Sequence, residues 1–235
     1  SNDDGFKSLG LDTLRDVLDR YGKVMTFAPS KDISASSSCL SVHHSVKVKK
    51  ISKNFYKVDG TPADCVHIGT RGIMKKYPDI VFSGINFGSN MGDDVIYSGT
   101  VGAAIEGRHA KYGAFAISIA SKKPKYIHDI KKITEYTVDF IFSNLKIYST
   151  IFNINVPNLP LSKIKGIKLT TLGRRKMSHK AKSVSSDTSN LFEIGKVGAG
   201  ILGRGTDFYA VSKGYISVTP ITINMTDTKI FDKLK

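Results

Sequence analysis

Two adjacent aspartates near the start of the chain are the first residues whose chemistry and spacing point to a reaction. Asp3 and Asp4 are followed by Gly5. Neighbouring side chains in a regular strand point to opposite faces, so these carboxylates can meet at one ion only where the backbone turns. Gly5 supplies the freedom for such a turn. An Asp-Asp pair taken alone is more often a helix cap or a solvated turn.

Two later loops offer neutral oxygen atoms to the same site. The apolar segments Val24 to Ala28 and Ile80 to Phe82 are typical of buried strands, and each is followed by polar or glycine-rich residues. Loops at the carboxyl ends of parallel strands meet at one edge of the sheet. Together with Ser34 and the Asn86 side chain, the paired aspartates would form an oxygen-only site of the kind that Mg²⁺ or Mn²⁺ prefers.

A third segment could hold an anion. Ser98, Gly99 and Thr100 form a glycine-bearing turn that opens a predicted helix. Free backbone N–H groups at a helix start, with two hydroxyls beside them, can bind a phosphate. The same pattern is also that of a routine helix N-cap, so both interpretations stay open at this point.

Helical and strand-like patterns alternate along the chain, which predicts an α/β fold with a parallel sheet covered on both faces. The predicted helices are Ser8 to Tyr21, Val101 to Tyr112 and Ile127 to Leu145, and the further predicted strands are Ala114 to Ile119, Ile151 to Val156, Ile167 to Leu172 and Tyr215 to Thr219. The small residues of the second helix, including Gly102 and Gly107, are interpreted as packing positions.

Composition limits the classes of function. The 235 residues carry a formal net charge of +15, which favours anionic partners. No apolar run is long enough for a membrane helix, and Cys39 and Cys65 alone make a disulfide framework or zinc site improbable. We therefore expect a cytoplasmic protein without a membrane partner. A basic cluster from Arg174 to Lys182 prompts a nucleic-acid-binding alternative, but no aromatic residues are interleaved with it, so that function is unlikely.

Ordered blocks along nearly the whole chain carry a resemblance to a known family. They are Asn2 to Gly5, Ala28-Pro29 with Ser34-Ala35, Thr61 to Val66, Ser83 to Gly92, Tyr97 to Gly107, and Thr206 to Ile221. Together these blocks resemble the SurE family, survival-protein nucleotidases that remove phosphate from nucleoside monophosphates with a divalent metal. So many matches in one order give the paired aspartates a functional interpretation instead of a capping one.

The resemblance implies a set of site residues. The metal ligands carried over are Asp3, Asp4, Ser34 and Asn86, and the phosphate-binding groups are Asn90, Ser98, Gly99 and Thr100. The implied reaction is hydrolysis of nucleoside 5′-monophosphates, with 3′-monophosphates and short polyphosphate as further candidate substrates. A water that the cation activates and Asp3 or Asp4 orients would attack phosphorus, with a covalent aspartyl-phosphate on Asp3 as the rival route. A non-catalytic phosphate-binding or nucleic-acid-binding protein remains the alternative.

The resemblance also implies how the chain is organised. We expect one SurE-like domain over residues 1–235, with a Rossmann-like core over 1–122 and a C-terminal part over 123–235. A protruding hairpin at about 173–207 and the tail would exchange between subunits, which implies a homodimer or tetramer. Members of the family carry a Met and a short apolar strand ahead of the Asn-Asp-Asp-Gly block. We therefore expect the central strand of the sheet, with Asp3 and Asp4 at its end, to lie ahead of Ser1.

Overall fold

A computed structural model describes residues 1–145, 148–184 and 191–234 as an α/β fold with two main sheets. In chain order the strands are β1 (Thr26–Pro29), β2 (Val48–Ser52), β3 (Phe55–Val58), β4 (Val81–Phe87), β5 (Ala114–Ile119), β6 (Ile151–Val156), β7 (Ile167–Leu169), β8 (Lys182–Ser183), β9 (Phe192–Glu193) and β10 (Ile216–Ile221). The larger sheet has the order β4-β5-β6-β10-β7, and the smaller one has the order β1-β3-β2. Strands β4, β5 and β6 are parallel, whereas β10 runs antiparallel to β6.

Helices cover the larger sheet on both faces. They are α1 (Leu9–Leu18), α2 (Pro62–His67), α3 (Gly99–Glu106), α4 (Ile130–Phe140), α5 (Asp207–Ser212) and α6 (Thr228–Lys233). Alternate residues of β5 divide between two apolar clusters: Phe115 and Ile117 pack with α1 and α4, whereas Ala114 and Ala116 pack with α2 and α3. The predicted parallel sheet with two covered faces is therefore confirmed.

The small residues of α3 are packing positions, as predicted. Ala103 and Ala104 lie in the same buried cluster as the alanines of β5. A Cβ added at Gly107, just after the helix, would lie 2.5 Å from Val81 Cγ1. A Cβ at Gly102 would lie 2.5 Å from the Ser37 carbonyl oxygen. This glycine therefore lets the loop that contains Ser37, and not the sheet, pack closely against the helix. The helix therefore sits close to both β4 and the loop that carries Ser34.

Strand β4 is longer than the sequence predicts, since the predicted strand Ile80 to Phe82 stops before the polar and glycine residues that follow it. The strand continues through Gly84 to Phe87, and its pairing with β5 shifts register between Ser83 and Asn86. Gly84 has a φ of +135°, and a Cβ there would lie 2.4 Å from the Ile117 carbonyl oxygen. Glycine here marks an irregularity within a strand instead of the turn that ends one. Asn86 accordingly lies inside β4.

The C-terminal part contains an extended antiparallel segment where the sequence predicts a hairpin. Backbone bonds join Ile201 N to Arg174 O (2.8 Å), Lys176 N to Ala199 O (3.0 Å) and His179 N to Lys196 O (2.8 Å), and β8 pairs with β9 beyond them. Residues 185–190 of the predicted hairpin lie outside the described residues. No helix in the described part of the chain has the length and hydropathy needed to cross a bilayer.

The start of the chain lies against β4 in strand-like pairing. The Ser1 amino group donates to the Phe82 carbonyl (3.0 Å), and Gly84 N–H donates to the Ser1 carbonyl (2.8 Å). Next to Ser1, a cavity of about 710 Å³ is lined by residues of β1, β4, α1 and the turn Ile68–Ile73. The cavity therefore separates the edge of the smaller sheet from the edge of the larger one.

A short apolar strand added ahead of Ser1 should raise the melting temperature, because it would extend the pairing with β4 and fill the cavity with aliphatic side chains. Each fully buried aliphatic side chain contributes about 1.5–3 kcal/mol. Thermal unfolding of the extended and parent chains measures the effect. A glycine-serine extension of equal length is the control, and equal melting temperatures for all three chains would contradict this placement.

Candidate metal and phosphate site

Asp3 is buried against the start of α3. Its Oδ1 accepts a hydrogen bond from Thr100 Oγ1 (2.6 Å), and its Oδ2 accepts one from Thr100 N–H (3.2 Å). Ser98 caps the same helix, because its Oγ accepts a hydrogen bond from Val101 N–H (3.1 Å). The partial positive charge of a helix N-terminus favours a carboxylate at this position. The structure thus brings Asp3 together with the predicted Ser98 to Thr100 turn.

Asp4 is half-buried and lies beside the end of β4. Its Oδ2 accepts a hydrogen bond from Phe87 N–H (3.3 Å), the residue that follows Asn86. The Asn86 side chain donates its Nδ2 to the Gly88 carbonyl (2.6 Å). Because Nδ2 makes that bond, the amide oxygen of Asn86 is the atom left to bind a cation. Asp4 and Asn86 are therefore neighbours at one edge of the larger sheet.

The loop after β1 reaches the same region. Ile33 N–H donates to the Asp3 carbonyl (2.9 Å), so Ser34 follows a residue that is bonded to the aspartate pair. Ser34 is exposed, and both its N–H (2.9 Å) and its Oγ (2.6 Å) donate to Asp32 Oδ1. The structure therefore brings the segments of all four predicted metal ligands to one place. Asp32, which orients Ser34, is a neighbouring carboxylate that the sequence analysis did not identify.

The electrostatics of the aspartate pair are unfavourable without a positive charge. Burial raises the pKa of Asp3 above its ordinary value, and the bonds from Thr100 offset part of that effect. Burial, followed by the charge of Asp3, raises the pKa of Asp4 to about 6. The described residues contain no group of three or more His, Cys, Asp or Glu side chains able to hold a metal. A cation here would therefore depend on two carboxylates and neutral oxygen atoms.

Asn90 is held from the neighbouring strands. Its N–H donates to Asn155 Oδ1 (2.9 Å), and its carbonyl accepts hydrogen bonds from Asn153 Nδ2 (2.7 Å) and Asn155 Nδ2 (2.8 Å). The Asn90 side chain donates its Nδ2 to Ser118 Oγ (2.9 Å). Asn153 and Asn155 were missed from the sequence. Their signal was two amides at alternate positions of an otherwise apolar strand, which is an expensive place for polar groups without partners.

The predicted phosphate-binding turn has less free hydrogen-bonding capacity than its sequence suggests, because Ser98 caps α3 and Thr100 binds Asp3. Gly99 leaves a narrow space beside them. A Cβ at Gly99 would lie 2.7 Å from Ser36 Oγ and 3.1 Å from the Asp3 Cβ. Ser36 Oγ is itself buried without a hydrogen-bond partner among the described residues. Ser36 is thus a further candidate ligand that the sequence analysis missed.

Comparisons with known proteins identify a family for this chain. The family model described as "Survival protein SurE" matches residues 1–179. The chain is 40% identical over 239 residues to the 5′-nucleotidase SurE of Legionella pneumophila (strain Paris), covering 100% of this chain and 94% of that protein. It is 44% identical over 232 residues to the 5′/3′-nucleotidase SurE of Wigglesworthia glossinidia brevipalpis, covering 97% and 92%.

A solved structure is also similar over the whole length. The crystal structure of the SurE protein from Aquifex aeolicus matches with a TM-score of 0.84 and 38% sequence identity, covering 100% of this chain and 96% of that one. The order of elements, the site at the sheet edge and the relatives all lead to the same assignment. The chain belongs to the SurE family.

Proposed function

We propose that this protein hydrolyses nucleoside 5′-monophosphates to a nucleoside and phosphate. The observation that carries the proposal is the meeting of Asp3 and Asp4 with the start of α3, with the loop of Ser34 and with the end of β4 that contains Asn86. The names of the relatives, 5′-nucleotidase SurE and 5′/3′-nucleotidase SurE, support the same substrate class. Nucleoside 3′-monophosphates and short polyphosphate are further proposed substrates, since the net charge of +15 attracts anions.

A divalent cation, Mg²⁺ or Mn²⁺, is part of this proposal, with Asp3, Asp4, Ser34 and Asn86 as its ligands. The donor set fits such an ion, because it combines two carboxylates with a hydroxyl and an amide oxygen. The raised pKa values of the buried pair also fit, since they reflect negative charge that lacks compensation. When bound, the ion offsets charge that develops on the phosphoryl oxygens and makes a water more acidic.

The two aspartates have different roles in the proposed reaction. Asp3 is immobilised by Thr100, which binds both of its carboxylate oxygens. Within the described part of the chain, Asp4 accepts its one hydrogen bond at Oδ2, so Oδ1 remains to orient a water. That water attacks phosphorus in line with the leaving ribose oxygen. The rival route, a covalent aspartyl-phosphate on Asp3, would require an oxygen of that carboxylate to leave its hydrogen bond with Thr100 and attack phosphorus.

The substrate phosphate would lie between the Gly99 backbone, Ser36 and Asn90. Because Gly99 lacks a side chain, Ser36 Oγ and Asp3 lie close against the start of α3, where backbone N–H groups can bind a phosphate. Ser36 Oγ is buried without a partner in the described chain, and a phosphate oxygen would satisfy it. Asn90 is fixed by the asparagines of β6, which keeps it in one position relative to the site.

Phosphate release from a panel of nucleoside monophosphates tests the function directly. We expect release with Mg²⁺ or Mn²⁺ and none with a chelator. Asp3→Asn and Asp4→Asn should each lower kcat/KM by at least about 10²-fold, the scale of losing one charge-stabilising group. Asp12→Asn is the matched control, because Asp12 lies on α1 in an exposed pair with Arg15. Activity that persists in chelator would show that the reaction does not need the cation. A chain that binds nucleotides but releases no phosphate would favour the non-catalytic alternative.

A stability measurement tests the carboxylate pair without substrate. In chelator at pH 7, Asp4→Asn should raise the melting temperature, because it removes a charge that burial and Asp3 destabilise in the folded state. The folded pKa of about 6 lies above the ordinary 3.8, so the parent loses stability as the pH rises between these values. The difference between the two chains should therefore vanish near pH 3. A melting temperature that is lower in the variant at pH 7 would argue against an uncompensated pair.

A homodimer or tetramer formed through the C-terminal part also belongs to the proposal. Large apolar side chains there are exposed, with Met177 at 94%, Ile194 at 91% and Met225 at 85%. Large apolar side chains this exposed are often covered at a protein interface. Light scattering after size exclusion should give a multiple of 25.7 kDa, and Ile194→Lys with Met225→Lys should shift it towards the monomer. A parent chain that elutes as a monomer would contradict this assembly.

A cytoplasmic location stays a prediction from the sequence.

A further inference from the structure

Asp207 is a fully buried carboxylate that joins two distant parts of the chain. It is the first residue of α5, and its Oδ1 accepts hydrogen bonds from Gly173 N–H (2.9 Å) and Phe208 N–H (2.8 Å). Its Oδ2 accepts a hydrogen bond from Gly92 N–H (2.7 Å), 115 residues away in sequence. Three backbone donors around one charge form strong, charge-assisted bonds. The residue therefore connects the base of the hairpin with the segment that follows Asn90.

Gly92 is pressed against the C-terminal part of the chain. It has a φ of +63°, and a Cβ there would lie 2.5 Å from Phe208 Cε2 and 2.8 Å from the Gly173 carbonyl oxygen. The residue follows Asn90 by two positions and begins the short 3₁₀ helix Gly92–Tyr97, which leads to Ser98. Gly92 thus lies between Asn90 and the start of α3 along the chain, and its position influences both.

The next two residues are attached to the same base. Arg175 N–H donates to Asp93 Oδ1 (3.1 Å), and the Arg175 guanidinium forms an ion pair with Asp94. The guanidinium carbon also lies 4.9 Å from the centre of the Phe208 ring. Gly92, Asp93 and Asp94 are therefore bound to the hairpin base and α5. Asn90 itself is bound to β5 and β6.

We propose that Asp207 is a positioning residue for the phosphoester hydrolysis, holding Gly92 so that Asn90 and the start of α3 face the substrate phosphate together. This inference rests on the proposed function. An ionised carboxylate suits the position, because it accepts three N–H groups and brings no donor of its own. The loop is fixed on one side by the asparagines of β6 and on the other by Asp207, and a displacement of about 1 Å at such a site can cost 10²-fold in rate.

Asp207→Asn separates the contact with Gly92 from the contacts with Gly173 and Phe208. The amide oxygen can still accept from Gly173 and Phe208, but the amide NH₂ then faces Gly92 N–H, donor against donor. We expect kcat/KM for a nucleoside 5′-monophosphate to fall by about 10²-fold. The inhibition constant of inorganic phosphate should rise as well. Arg175→Gln, a milder change in the same connection, should lower kcat/KM less.

Val138→Ala is the control for a purely structural role. Val138 is fully buried in α4, where it packs in the apolar cluster with α1, and losing its two methyl groups leaves a cavity there. This variant should have a lower melting temperature than the parent chain but the same kcat/KM per folded molecule. The same behaviour in Asp207→Asn and Arg175→Gln, with unchanged kcat/KM and phosphate inhibition, overturns the proposal.

Hydrogen exchange separates this inference from the proposed function. If the parent chain releases no phosphate from any nucleotide, the proposed function fails, and the amides of residues 90–98 then report on the loop. Faster exchange of these amides in Asp207→Asn, with unchanged exchange in β5 and β6, supports the positioning role. Exchange equal to that of the parent chain contradicts it.

Discussion

The structure of the site depends on two like charges held side by side, one on the buried Asp3 and one on the half-buried Asp4. Burial and the proximity of Asp3 raise the pKa of Asp4 to about 6, which shows how incompletely the protein alone compensates the pair. Asp32 adds a further negative charge nearby, and the groups that offset the charge of the pair are the hydrogen-bond donors of Thr100 and the Phe87 N–H. Partners of this kind reduce the cost of desolvation but do not remove it. In the proposed reaction a dication would complete the compensation, with neutral oxygen atoms as its remaining ligands.

The loops around the pair are rigid because the rest of the fold binds them from several directions. The asparagines of β6 bind the Asn90 backbone at both its N–H and its carbonyl, while Asp207 binds Gly92 from the C-terminal side. These partners are buried, so their hydrogen bonds are costly to break without replacement. The predicted core over 1–122 is thus bound beside the candidate site by residues of the C-terminal part. An assembly through that part, as proposed, would therefore be physically connected to the geometry of the candidate site.

The sequence predicted the elements with a strong apolar pattern and missed those without one. Helix α1 and strands β5 and β6 follow clear periodicities, whereas β2 is exposed and rich in lysine, and its residues show no buried face. The length of β4 was missed because Gly84 reads locally as a turn. At the site, the sequence identified the acidic pair and the turn before α3. The bond between Thr100 and Asp3 spans 97 residues and follows from how α3 packs on β4 and β5, which no local pattern reveals.

Long-range and local electrostatics act in opposite directions on an anionic substrate. The net charge of +15 favours the approach of anions from a distance, whereas the two carboxylates of the candidate site would repel a phosphate bound beside them. Over distances beyond about 8–10 Å, salt screens the individual charges, so the general field governs approach and the immediate neighbours govern binding. Because Thr100 uses both its N–H and its hydroxyl on Asp3, it cannot also neutralise the phosphate. Local binding of phosphate in the proposed reaction must therefore come from the cation, Gly99, Ser36 and Asn90, and this makes the exact position of their loops decisive.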